Sequence, residues 1–225
     1  MSLGVPGVDS MRRAGERRCR GANTDSPLPF LRHRDRGAMR AFPVLSSGRI
    51  CLRRWRDEDR EAFAAMNSDT RVMEFFPNRL SRAESDAMVD RIQEHFSEHD
   101  FGLWAIEVPE VAPFIGFAGL AVPRFSARFT PCVEVGWRLA FEHWGHGYAT
   151  EAARLALGYG FGTLALSEVV SFTSATNHRS RAVMERLGMR RDPAEDFDHP
   201  ALPASHPLRR HVLYRLGSGS YFGMC

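Results

Sequence analysis

The chain has 225 residues, 44% of them hydrophobic, which is enough for one sizeable core and points to a single domain. It has no apolar run long enough to form a membrane-spanning helix. Its four cysteines, Cys19, Cys51, Cys132 and Cys225, form no CxxC pair, which argues for a reducing, cytoplasmic setting over a disulfide framework or a zinc site. The net charge of +3 is uneven, because residues 1–40 carry nine arginines against four acids and leave the remainder slightly acidic. The folded body therefore has little electrostatic support for a nucleic-acid partner, and neither nucleic acid nor membrane is expected to bind it.

Residues 1–40 show no apolar period and are rich in Gly, Pro, Ser and Arg. They read as a disordered Arg-rich leader or as an extension before a start near Met39. The body is expected over 41–216, and "GSGSYFGMC" (217–225) reads as a flexible tail. "GRICLRRW" (48–55) alternates like a strand, and the acids of "DEDREAFAAM" suit the positive end of a helix. "SRAE" (81–84) is a capping box, followed by Met88, Val89, Ile92 and Phe96 on one helical face. "FGLWAIEV" (101–108), "FIGFAGLAV" (114–122) and "CVEVGWRLA" (132–140) read as consecutive strands. A helix over 147–162, a strand over 168–175, a helix over 179–188 and a strand near 211–216 complete the order. The fold class is α/β (α+β): a mixed, mostly antiparallel sheet of six to seven strands with helices on both faces. The helical crossover makes the fourth and fifth strands parallel.

"WGHGYAT" at 144–150 then poses a chemical question. Gly145 and Gly147 stand at a strand-to-helix junction, where free N–H groups and the helix dipole attract anions and glycine lets a phosphate approach the backbone. The stretch lacks the GKS or GKT of a P-loop and the third glycine of a dinucleotide fingerprint. A pyrophosphate cradle for another nucleotide cofactor remains.

"WGHGYATEA" resembles the acetyl-CoA signature of the GNAT N-acetyltransferases, in particular the branch that acetylates ribosomal-protein N-termini. Trp144 stands where the general pattern has Gln or Arg, Gly147 at the central glycine and Ala149 at the last. "GRICLRRWRDED", "VEVGWRLA" and "SATNHRSRAVMERLGM" are similar to further segments of that branch, in order and over about residues 47–216.

The resemblance implies acetyl-CoA as co-substrate, no metal, and parallel strands that splay apart. The acetyl group would pass directly, in a ternary complex, to a primary amine on a small molecule or peptide, with the protein a monomer or homodimer. The cradle would comprise Trp144, Gly145, His146, Gly147, Tyr148, Ala149 and Thr150. Backbone amides around Arg138 and Leu139 would hold the pantetheine and polarise the carbonyl, Asn177 would bond the pantetheine arm, and Ser180 would lie near the thiol. Many family members carry a tyrosine seven residues after that asparagine as the acid; here Met184 occupies the position, leaving Ser180 or water.

Glu134 is the first candidate for the base, with Glu74 and Asp69 behind it. Its bland alternative is a solvated strand residue or ion-pair partner. His143 and His146, or His199, His206 and His211, offer imidazoles without the company a metal requires. The latter three lie in a segment expected to form an ordered loop beside the acceptor. Phe75, Phe76 and Trp137 wall the acceptor pocket or belong to the core, with core favoured for Phe75. A covalent route through Cys132 is a distant second. Two rivals from other classes are a non-catalytic acyl-CoA-binding regulatory module and a nucleic-acid binder acting through the leader.

Overall fold

A computed structural model describes residues 43–223; the leader lies outside the described residues. Among the described residues there are nine strands and five α-helices, and the six strands and four helices expected from the sequence occur in the expected order. The strands are β1 (Leu45–Ser46), β2 (Cys51–Arg53), β3 (Leu103–Val108), β4 (Ala112–Ala121), β5 (Glu134–Leu139), β6 (Glu168–Ser174), β7 (Arg190–Arg191), β8 (Phe197–Asp198) and β9 (Arg210–Gly217). The helices are α1 (Asp59–Ser68), α2 (Arg82–His99), α3 (Tyr148–Gly162), α4 (His178–Arg186) and α5 (Ser218–Phe222). The six long-expected strands are all present, and three two-residue strands account for the higher count. The sheet runs β1-β2-β3-β4-β5-β6-β9-β7, with β8 also pairing β9, and every pairing is antiparallel except β5 with β6.

Strand alternation sorts the helices onto two faces. Phe117 of β4 packs edge-on against Phe63 of α1, ring centres 6.0 Å apart. The next residue, Ala118, points the other way beside its partner Trp104, whose ring meets Tyr159 of α3 at 5.6 Å. The register carries this division into β5: Arg138 opposes Phe117 on the α1 face, and Trp137 opposes Ala118 on the α3 face. Gly116 lets β5 lie this close, since a Cβ there would stand 2.2 Å from the Arg138 carbonyl oxygen.

Local signals behave as their chemistry requires. Ser81 and Glu84 form the full capping box of α2. α1 begins at Asp59, two residues later than its acidic run suggests, because Asp59 is a buried anchor: its two carboxylate oxygens each accept from Arg53 at 2.8 Å. The segment read as a flexible tail is instead packed, at least through Phe222. β9 extends to Gly217, α5 follows, and the Tyr221 ring lies 4.9 Å from Phe161 of α3.

Candidate active site

The parallel contact between β5 and β6 is a single register pair, Glu134 with Val170. Val170 N–H donates to the Val133 carbonyl at 2.9 Å, and the Ser171 hydroxyl then takes the Val135 carbonyl at 2.9 Å. Beyond that point the strands separate. Trp137, Arg138 and Leu139 from β5 and Ser171–Ser174 from β6 line the opening of a cavity of about 1760 Å³. A single small-molecule site usually occupies about 300–1,000 Å³, so two reactants fit here together.

On the α3 face, the cavity reaches the glycine junction. Gly145 and Gly147 both hold φ of +82°, a left-handed conformation that strains any residue with a Cβ. Gly147 is the N-cap of α3 with no side-chain cap, and the first back-bonded N–H is that of Glu151, to the Gly147 carbonyl. The amides of Tyr148, Ala149 and Thr150 are therefore unspent. A Cβ on Gly145 would meet nothing within 4 Å, and Gly145, Gly147, Tyr148, Ala149 and Thr150 all line the cavity. Glu151, an acid in the first turn, would repel an anion. Arg49 pairs with it, and the Ser47 hydroxyl donates to it at 2.5 Å. Trp144 supplies no amide contact of its own kind; its indole N–H donates to the Leu139 carbonyl at 2.9 Å and fixes the turn. His146 lies beside Tyr148, ring centres 5.5 Å apart, and is not among the cavity-lining residues.

Asn177 caps α4: its Oδ1 accepts from Ser180 N–H at 3.1 Å, and its Nδ2 donates to Thr173 Oγ1 and Ser180 Oγ, each at 3.0 Å. Its amide nitrogen is thus engaged within the protein, whereas Ser180 lines the cavity with its own hydroxyl proton uncommitted. Met184 also lines it and offers no proton.

On the α1 face the geometry departs from the sequence reading. Glu134 does not line the cavity; it sits four residues down β5 from Arg138, about 13 Å along the strand. It is buried rather than solvated, Oε1 has no hydrogen-bond partner, and burial pushes its carboxyl up to about 7. Glu74 and Asp69 are no substitutes: neither lines the cavity, and each is paired with an arginine, Glu74 with Arg179 of the cavity wall and Asp69 with Arg71. Cys132 also lies outside it, with burial pushing the thiol up to about 12, so no thiolate is available for a covalent route.

Phe75 and Phe76 both belong to the cavity wall, and Phe75 is half-buried rather than core. His199 and His206 line the cavity from the loop between β8 and β9, and His211 from β9. Their tautomers follow from their bonds. His199 Nδ1 accepts from Ala201 N–H at 3.2 Å and His206 Nδ1 from Leu208 N–H at 3.1 Å, so each bears its proton on Nε2. His211 Nδ1 faces the Arg209 carbonyl at 3.1 Å and must donate, leaving Nε2 as an acceptor. Burial draws His199 and His211 down to about 4 and about 3, so both are neutral. Among the described residues no group of three or more His, Cys, Asp or Glu could hold a metal.

The Acetyltransferase (GNAT) domain family matches residues 49–190. The chain belongs to the GNAT acetyltransferase family. It is 31% identical over 152 residues to the uncharacterized protein YkkB of Bacillus subtilis, covering 67% of this chain and 87% of that one. It is 33% identical over 162 residues to the FsC-acetyl coenzyme A-N(2)-transacetylase of Aspergillus fumigatus, covering 67% of this chain and 66% of that one. A ribosomal-protein alanine acetyltransferase structure from Vibrio fischeri shares the fold, with a TM-score of 0.62, 14% identity, and coverage of 80% and 98%. This GNAT protein is an acyltransferase enzyme, and among its described residues no helix is long and apolar enough to cross a membrane.

Two features of the site escaped sequence reasoning. The side chain of Arg138, expected to matter only through its backbone, lines the cavity, and so does Arg91 of α2. A signal for the first was present: in "VEVGWRL" two charged residues, Glu134 and Arg138, interrupt a strand that is otherwise apolar or small. Arg91 follows Ala83 and Ala87 at helical spacing, and only the packing of α2 shows that this stripe faces a cavity.

Proposed function

We propose that this protein transfers the acetyl group of acetyl-CoA directly to a primary amine in a ternary complex. The observation that carries this reading is the glycine junction, where unspent amides at the α3 N-terminus open into the same cavity as the splayed β5–β6 gap. Trp144, Gly145, His146, Gly147, Tyr148, Ala149 and Thr150 form the turn and first helical turn that would hold the pyrophosphate of acetyl-CoA. The unladdered edge of β5 at Arg138 and Leu139 would hold its pantetheine arm. Asn177 then acts by fixing Ser180.

The amine attacks the thioester carbon, a C–N bond forms, and the C–S bond breaks to release CoA thiolate. His211 Nε2 accepts a hydrogen bond from the amine and aligns its lone pair, water takes the amine proton, and the Ser180 hydroxyl donates a hydrogen bond to the leaving thiolate, which afterwards takes its proton from water. A thiol pKa near 8.5 makes the thiolate a fair leaving group, so the weak acid slows the step without preventing it.

The test is calorimetric titration of the full chain with acetyl-CoA, beside Gly147→Trp, which fills the cradle. Micromolar binding, weakened at least about tenfold in the folded variant, is the expected result. A folded wild-type protein that takes up no acetyl-CoA would overturn the reading. Turnover across an amine panel should then fall in Ser180→Ala and stay measurable in Glu134→Gln.

A further inference from the structure

Arg138 is a cation set into the cavity wall without a counter-ion. The residue is 7% exposed, its Nη1 donates to the neutral Asn67 Oδ1 at 2.6 Å, and its Nε is buried with no acceptor. The guanidinium carbon lies 4.0 Å from the Phe76 ring centre and 5.5 Å from that of Phe117, contacts that hold the group in place and leave its charge uncompensated. An uncompensated buried cation is costly to the fold, and the usual remedy is a paired anion.

A second arginine faces the same cavity from a different element. Arg91 of α2 also has a buried Nε with no acceptor, and it forms no ion pair among the described residues. Two carboxylates reach the cavity, and neither is available to these arginines. Glu84 is committed to the Ser81 backbone and hydroxyl, each at 2.8 Å, and Glu151 to Arg49 and Ser47. Arg138 projects from the α1 face of β5, whereas the phosphate cradle lies on the α3 face. The positive charge of Arg138 therefore stands in the acceptor half.

We propose that Arg138, assisted by Arg91, binds a carboxylate on the acceptor, so that the amine acetylated here belongs to an amino-acid-like molecule carrying an acid group. The planar fork of the guanidinium suits a carboxylate, which would take the Nε left without an acceptor. The same charge repels polycationic amines, whose ammonium groups would be drawn into a pocket that already holds a buried cation. The proposal deepens the acetyltransfer reading and rests on it.

The deciding measurement is binding without turnover. The full-length protein, saturated with CoA, is titrated with 3-phenylpropionate and with its uncharged amide, 3-phenylpropanamide. The acid is expected to bind at least about tenfold more tightly than the amide. In Arg138→Gln the acid-to-amide ratio should approach one, and in Arg91→Gln, on the flank of α2, it should shrink part of the way. Each ratio is internal to one protein, so a general weakening of a variant does not imitate the effect. Equal binding of acid and amide by the wild type, no measurable binding of the acid, or a ratio unchanged in both variants would overturn the carboxylate site. Failure of CoA itself to bind would instead remove the acetyltransfer reading, and the same two titrations on the CoA-free protein would still decide whether Arg138 holds an acid.

Discussion

Glu134 and Arg138 point to the same face of one short strand, and both are stripped of water, yet only the arginine reaches the cavity. Burial acts on them in opposite directions on the pH scale. It raises Glu134 to about 7 and draws Arg138 down to about 9, which leaves the arginine charged at neutral pH and the glutamate half-neutral. A carboxyl whose folded pKa is raised binds its proton more tightly in the native state, so its contribution to stability is lost as pH rises from about 4.5 through about 7. Glu134→Gln should therefore leave the unfolding free energy unchanged near pH 4.5 and raise it by about 3 kcal/mol at pH 8. Chemical denaturation at the two pH values checks this; equal effects at both would mean that the carboxyl is not held neutral by burial.

At the level of elements, the site exists because three chain segments end or part at one place. β5 and β6 part after one register pair, α3 begins at a glycine that cannot cap it, and α4 begins at an asparagine that can. The two helix starts are built for different purposes. The amides of α3 are left for a ligand, while those of α4 are satisfied internally so that Ser180 is held still. Asn177→Ala removes the cap and two further hydrogen bonds, and should lower the unfolding free energy in urea by about 1–2 kcal/mol. It should also reduce kcat more than acetyl-CoA affinity, because the group it releases is the proposed hydrogen-bond donor to the leaving sulfur and not the phosphate cradle. A loss confined to acetyl-CoA affinity would mean that Asn177 acts on the pantetheine arm directly.

For the molecule as a whole, three buried imidazoles set the acid limit of stability. His95 donates from Nδ1 to the Phe101 carbonyl at 2.9 Å and accepts Val122 N–H on Nε2 at 3.0 Å, a neutral bridge, and burial draws it down to about 4. With His199 and His211 likewise lowered, stability is complete above about 6.5 and is lost as pH falls below it. Glu134 opposes them with one proton between about 4.5 and 7. The lowered histidines outnumber the one raised glutamate, so near pH 5 stability rises with pH, and the thermal midpoint is expected to climb from pH 5 to about 7. A midpoint flat between pH 5 and 7 would contradict this. The sequence by itself determined the order of strands and helices, the capping box of α2 and the glycine turn at α3, because periodicity, caps and left-handed turns are set by residues within a few positions of one another. It also carried the family, since those local signals recur in register. Only the tertiary structure decided that Glu134 lies outside the cavity, that Arg138 and Arg91 lie inside it, that His211 alone of three imidazoles presents a free acceptor, and that the segment after β9 packs on α3. Those facts depend on the single β5–β6 register pair and on which helix covers each sheet face, and such long-range pairings leave no mark in any one short stretch of chain.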